Sequence, residues 1–211
     1  MPLFYQQNIN ATTKMAIWAI TEPFSFFESE VKRVEDERVI SHPIKQTQHL
    51  AARLLLQFML PNEDTTSIKY ASNGKPYLEN ATQQFSISHC NGYAACVVGE
   101  KEPVGIDIEM IHERVQKVAH KFLHSTELEK IKKISTSAQL AQLTFFWAAK
   151  EAMYKMNEKV GIDFSAQLRM DALATASKGT LNASILSDAV EQEVQIHYEI
   201  TPSFVWAVSV I

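Results

Sequence analysis

Strand-like and helical stretches are clustered along this chain rather than interleaved one by one, and that ordering constrains the fold most. A bulky, branched run at 15–20 reads as a strand. Residues 43–60 read as a long helix: Leu50, Leu54 and Phe58 recur at i, i+4 and i+8, and Ala51, Leu55 and Leu60 widen the stripe. Ser72-Asn73-Gly74-Lys75-Pro76 is a turn, because Asn-Gly tolerates positive φ and Pro presets its own φ. Strands are predicted at 84–88, 94–98 and 104–110. Helices are predicted at 114–122, at 125–134 with Ser125 as its cap, and at 137–157; the tail 181–211 reads as three strands. Strand, helix, strands is thus followed by strand, helices, strands. That order predicts an α+β fold in two halves, 1–103 and 104–211, over a doubly wound parallel sheet.

Composition removes several classes of function. Of 211 residues, 46% are hydrophobic and 21% charged, a globular balance that excludes a disordered or collagenous chain. The formal net charge is −4, with 9 basic against 11 acidic residues to Val104 and 11 against 13 beyond it. No basic lobe advertises nucleic-acid binding, so no nucleic-acid partner is expected. The longest apolar stretch, near Leu54–Leu60, is broken by Gln57 and far too short for a membrane span. The start of the chain lacks the pattern of a secretory signal. Cys90 and Cys96 read as two buried thiols rather than a disulfide, and a soluble cytoplasmic protein is expected.

Four short stretches can carry chemistry. On a strand covering Val104-Gly105-Ile106-Asp107-Ile108-Glu109, alternation puts Asp107 and Glu109 on one face and Ile106 and Ile108 on the other. Two carboxylates so placed fit either a solvated strand face or a pair of ligands for a hard cation, Mg²⁺ or Mn²⁺. Trp147, Glu151 and Lys155 stack on one helical stripe at i, i+4 and i+8. Glu151 with Lys155 could be a surface ion pair. The surrounding Phe145, Phe146, Met153, Tyr154 and Met156 instead predict that Lys150, Glu151 and Lys155 are half-buried, with Glu151 available as a third carboxylate. His89, at a strand end beside a turn, fits a structural hydrogen-bonding role more often than a catalytic one. Lys75 is either a solvated turn lysine or a cation held in a fixed place by its turn.

Asn73-Gly74-Lys75-Pro76-Tyr77-Leu78, Phe85-Ser86-Ile87-Ser88-His89, Gly105-Ile106-Asp107-Ile108-Glu109 and Trp147-Ala148-Ala149-Lys150-Glu151-Ala152-Met153-Tyr154-Lys155, in that order, resemble the 4'-phosphopantetheinyl transferases. The likeness runs from about Arg53 to Lys155. The chain length resembles the larger surfactin-synthetase-activator type, which implies two pseudo-symmetric α+β halves in one monomeric chain rather than a trimer of short chains.

That resemblance implies Mg²⁺-dependent transfer of the phosphopantetheine arm of coenzyme A to a serine of an acyl or peptidyl carrier protein, with release of 3',5'-ADP. It implies Asp107, Glu109 and Glu151 as metal ligands, with Lys150 and Lys155 on the pyrophosphate and the transferred phosphate. Glu151 is the family's usual candidate base; a metal-bound hydroxide or a water relayed through Glu151 or Glu109 is equally compatible. The 3'-phosphate and adenine side falls to Arg53, Lys75, Ser88 and His89 in the first half. Lys75 stands where the family often has Arg, keeping the charge without the bidentate fork. Leu56 stands where a second Arg is common, and Cys90 replaces a usual Ser. The carrier protein is expected to be acidic. Arg114, Lys117 and Lys121, at i, i+3 and i+7 of one helix, with Lys130 and Lys133 on the next, form either its docking patch or an ordinary solvated face.

Overall fold

A computed structural model describes residues 3–32, 40–66, 68–71, 74–79, 81–157, 159–187 and 190–211. The chain divides into two compact units, Met1–Val104 and Gly105–Ile211.

The first unit contains β1 (Leu3–Asn8), β2 (Thr13–Ala19), α1 (Phe24–Glu30), α2 (Pro43–Met59), β3 (Ile68–Tyr70), β4 (Pro76–Leu78), β5 (Gln84–Cys90) and β6 (Tyr93–Gly99). Its antiparallel sheet runs β1-β2-β6-β5, while β3 and β4 form a separate hairpin. α2 lies on β2, β5 and β6. It starts at Pro43, whose missing N–H costs nothing in the first turn, and ends at Leu60 before Pro61. Its buried face is Ala51, Ala52, Leu55, Leu56 and Met59; Phe58 is exposed. The helix is therefore turned by about one residue from the Leu50–Leu54–Phe58 stripe that its spacing predicts. Ala51 and Ala52 are fully buried in the core that α2 shares with the sheet.

Ser72 and Asn73 of the predicted turn lie outside the described residues. Gly74 has φ +84°, the left-handed conformation that glycine adopts without strain. Cys90 and Cys96 are both buried thiols, not joined in a disulfide.

The second unit contains β7 (Gly105–Met110), α3 (Arg114–Phe122), α4 (Ser125–Lys132), α5 (Thr136–Met156), α6 (Phe164–Gln167), β8 (Leu168–Met170), β9 (Lys178–Ser187), β10 (Val190–Ile200) and β11 (Phe204–Val210). Its sheet is antiparallel throughout, ordered β7-β11-β10-β9-β8. α5 crosses β7, β11 and β10. Phe145, Phe146, Ala148, Ala149, Ala152 and Met153 of α5 are buried with Ile196, Tyr198, Val205 and Ala207 of the sheet.

Both units are α+β and share a connectivity: a strand ahead of the long helix, that helix across the sheet, then a final hairpin whose last strand pairs with the strand ahead of the helix. The matching pairs are β2 with β6, and β7 with β11. β1, α1, the β3–β4 hairpin, α6 and β8 carry too few periodic residues to stand out in the sequence. The cap of α4 is His124, one residue before the predicted Ser125. Its ring accepts from the backbone of Thr126, and Glu127 in turn accepts from the His124 N–H at 2.8 Å. Among the described residues no helix is long and apolar enough to cross a membrane.

Candidate active site

The seam between β7 and α5 is unusually tight. A Cβ on Gly105 would lie 1.9 Å from the Ala152 carbonyl oxygen, so only glycine fits where strand and helix meet. Gly105, Asp107 and Glu109 share a face by strand alternation, so this contact aims both carboxylates at α5. Asp107 accepts from the Lys155 ammonium, Oδ1 to Nζ, at 2.6 Å. The Trp147 indole N–H donates to Glu109 Oε1 at 3.1 Å. Glu151 lies on the same helical stripe, one turn from each of Trp147 and Lys155.

Three carboxylates therefore feel one another. Burial first, then the charge of Asp107, pushes the Glu109 carboxyl up to about 7. The same two causes, in the same order, push Glu151 up to about 7. Lys155 opposes both shifts and is the cation that compensates the cluster. An all-oxygen donor set of this kind suits a hard dication. Among the described residues no three His, Cys, Asp or Glu side chains form a preformed metal cage.

Lys150 lies elsewhere. It is fully buried, and its three N–H donors go to Glu127 Oε2 at 2.6 Å, the Phe122 carbonyl at 2.8 Å and the Phe164 carbonyl at 3.1 Å. All three donors of this ammonium are turned inward, whereas the resemblance implies a place for it on the pyrophosphate. Glu127 is itself 2% exposed and also accepts from the N–H groups of His124 and Met170. Burial pushes Glu127 up and Lys150 down. Three donors on the carboxylate and three acceptors around the ammonium hold the pair ionic against that desolvation. The sequence signal for Glu127 is its capping-box position three residues beyond His124.

In the first unit, Arg53 is buried on α2 and donates from Nη2 to the Tyr70 hydroxyl at 2.7 Å. Tyr70 pairs with Pro76 across the β3–β4 hairpin, which places Arg53 against the hairpin that carries half-buried Lys75. Ser88 is buried and His89 exposed at the end of β5, which α2 covers. Arg114, Lys117 and Lys121 are all exposed on α3. Lys130, on the next helix, donates to the Asp171 carbonyl at 2.7 Å, while Lys133 is exposed.

A family model described as the 4'-phosphopantetheinyl transferase superfamily matches residues 103–208. The chain is 28% identical over 142 residues to 4'-phosphopantetheinyl transferase gsp of Aneurinibacillus migulanus, a match covering 63% of this chain and 58% of that protein. It is 28% identical over 163 residues to 4'-phosphopantetheinyl transferase psf-1 of Bacillus pumilus, covering 74% and 64%. With enterobactin synthase component D of Escherichia coli it shares 26% over 141 residues, covering 65% and 68%. The first two matches thus span about three fifths of those relatives' length.

Proposed function

The chain belongs to the 4'-phosphopantetheinyl transferase superfamily, and from that premise we propose that it moves the phosphopantetheine arm of coenzyme A onto a serine of a carrier protein. The reading is carried by Asp107 and Glu109 of β7 facing the stripe of α5 that holds Trp147, Glu151 and Lys155, with Lys155 on Asp107 and Trp147 on Glu109. The two relatives named as phosphopantetheinyl transferases support the same reading.

Asp107, Glu109 and Glu151 are proposed to hold Mg²⁺, or Mn²⁺ in its place. Their fit rests on the donor chemistry: an all-carboxylate set in which burial and the charge of Asp107 keep Glu109 and Glu151 from ionising readily until a cation joins them. Bound there, the ion would neutralise charge on the pyrophosphate. Lys155, held at Asp107, is proposed to turn its ammonium to the transferred phosphate. The serine Oγ forms a bond to the pantetheine-side phosphorus as the bridging P–O bond breaks, and 3',5'-ADP leaves. The serine proton passes to Glu151, or to a water held by Glu151 and Glu109.

Arg53, Lys75, Ser88 and His89 are proposed for the 3'-phosphate and adenine of coenzyme A, supported by the proximity of Arg53 to the Lys75 hairpin. An acidic acyl or peptidyl carrier is proposed to dock on Arg114, Lys117 and Lys121. Two α+β units in one chain support action as a monomer, and two buried thiols without a disulfide suit a reducing cytoplasm.

The test is to incubate the protein with apo acyl carrier protein, coenzyme A and Mg²⁺, then weigh the carrier. A gain of one phosphopantetheine group is expected. An unchanged carrier would identify a silent relative, and coenzyme A hydrolysis without an adduct would identify a phosphoesterase. Arg114→Glu combined with Lys117→Glu should raise KM for the carrier severalfold and leave KM for coenzyme A alone. Unaltered carrier kinetics would remove the docking assignment.

A further inference from the structure

Lys150 sits beside a proposed metal ligand in sequence, yet all three of its donors point into the protein. Two of the acceptors are the carbonyls of Phe122, at the end of α3, and Phe164, at the start of α6. The rings of those same residues flank Trp147. The Phe122 ring meets it edge-on at 5.1 Å and 64°, and the Phe164 ring stacks at 5.9 Å and 27°. Trp147 then gives its indole N–H to Glu109 Oε1 at 3.1 Å.

We propose that Glu127, Lys150 and Trp147 are positioning residues that fix Glu109 for the divalent ion. The buried Glu127–Lys150 pair ties down the two aromatic backbones, and their rings set the Trp147 indole. The indole then holds one oxygen of a carboxylate that would otherwise rotate away from its acidic neighbours. Glu127 is anchored in turn by the N–H groups of His124 and Met170, so α4 and β8 both brace the assembly. Such outer partners of a metal ligand are worth about 10–100-fold in metal affinity. This inference rests on the divalent-ion site proposed above.

The test measures Mn²⁺ binding to the intact protein by the electron paramagnetic resonance of free Mn²⁺, with neither coenzyme A nor carrier present. Trp147→Phe keeps a ring between Phe122 and Phe164 but removes the N–H, and should weaken Mn²⁺ binding about 10–100-fold. Glu127→Gln with Lys150→Met, which removes both buried charges together, should weaken it at least severalfold. Adding that pair to Trp147→Phe should cost little more, because all three act through one hydrogen bond. Unchanged binding in Trp147→Phe, or losses that multiply fully in the triple variant, would overturn the proposal. If the pair variant does not fold, Glu127→Gln alone decides: weaker Mn²⁺ binding supports the relay and unchanged binding overturns it. Absence of Mn²⁺ binding in the unaltered protein would overturn the ion site itself, and this relay with it.

Discussion

In the first unit, Ala16 and Trp18 of β2 join the core built around α2; in the second, β7 turns Asp107 and Glu109 toward α5. The two units share their connectivity, so the difference lies in how one seam is filled. Trp18 packs edge-on against Phe27 and sends its indole N–H to Glu22 at the rim. In the second unit the tryptophan is on the helix, and its N–H goes to a carboxylate within the seam. An apolar seam contributes stability by burial and packing. An acidic seam sacrifices some of that for a place where positive charge is welcome. Gly105 and the alanines of α5 keep helix and strand close enough for the cluster to form.

The largest effect that would break this contrast is on chemistry. Asp107→Ala or Glu151→Ala should cut formation of the carrier adduct by more than about 100-fold, beyond what loss of an outer partner costs. Full activity in either variant would contradict the metal assignment. Next comes the apolar seam: Trp18→Ala should cost about 3–5 kcal/mol in urea unfolding while leaving transfer per folded molecule near normal. A loss of rate without a loss of stability would mean that the first seam also takes part in chemistry.

The smallest effect sharpens the contrast by pH. Glu109 and Glu151 titrate higher in the folded protein than in the unfolded chain, so the fold binds their protons more readily. Their contribution to stability is full below about pH 4.5 and is lost as pH rises through about 7. Without divalent ions, the double variant Glu109→Gln, Glu151→Gln should therefore gain stability on the unaltered protein as pH rises from 5 to 8. Adding Mg²⁺ should close that gap above pH 7. A difference that does not vary with pH would show that burial and Asp107 do not hold the two carboxyls up.

Much of the second unit was legible because its signals are local. Strand alternation is enough to pair Asp107 with Glu109, and a 3.6-residue period is enough to align Trp147, Glu151 and Lys155. Clustering of strands gave the α+β class for the same reason. The apolar neighbourhood of Lys150 predicts a half-buried charge without saying what neutralises it, and the structure buries it fully. Its partner Glu127 sits on another helix, 23 residues earlier, and no period links the two. The cap of α4 was missed by one residue because histidine is not among the usual capping side chains. α2 was turned because Ala51 and Ala52 add little to an apolar stripe read by size, yet small side chains decide which face approaches a sheet.

Diffraction from crystals soaked in Mn²⁺, with anomalous scattering to locate the ion, tests the acidic seam most directly. One peak is expected, about 2.1–2.2 Å from carboxylate oxygens of Asp107, Glu109 and Glu151, with the Lys155 ammonium moved off Asp107. An ion bound elsewhere, or Lys155 still closing Asp107 with no ion in the seam, would contradict the account.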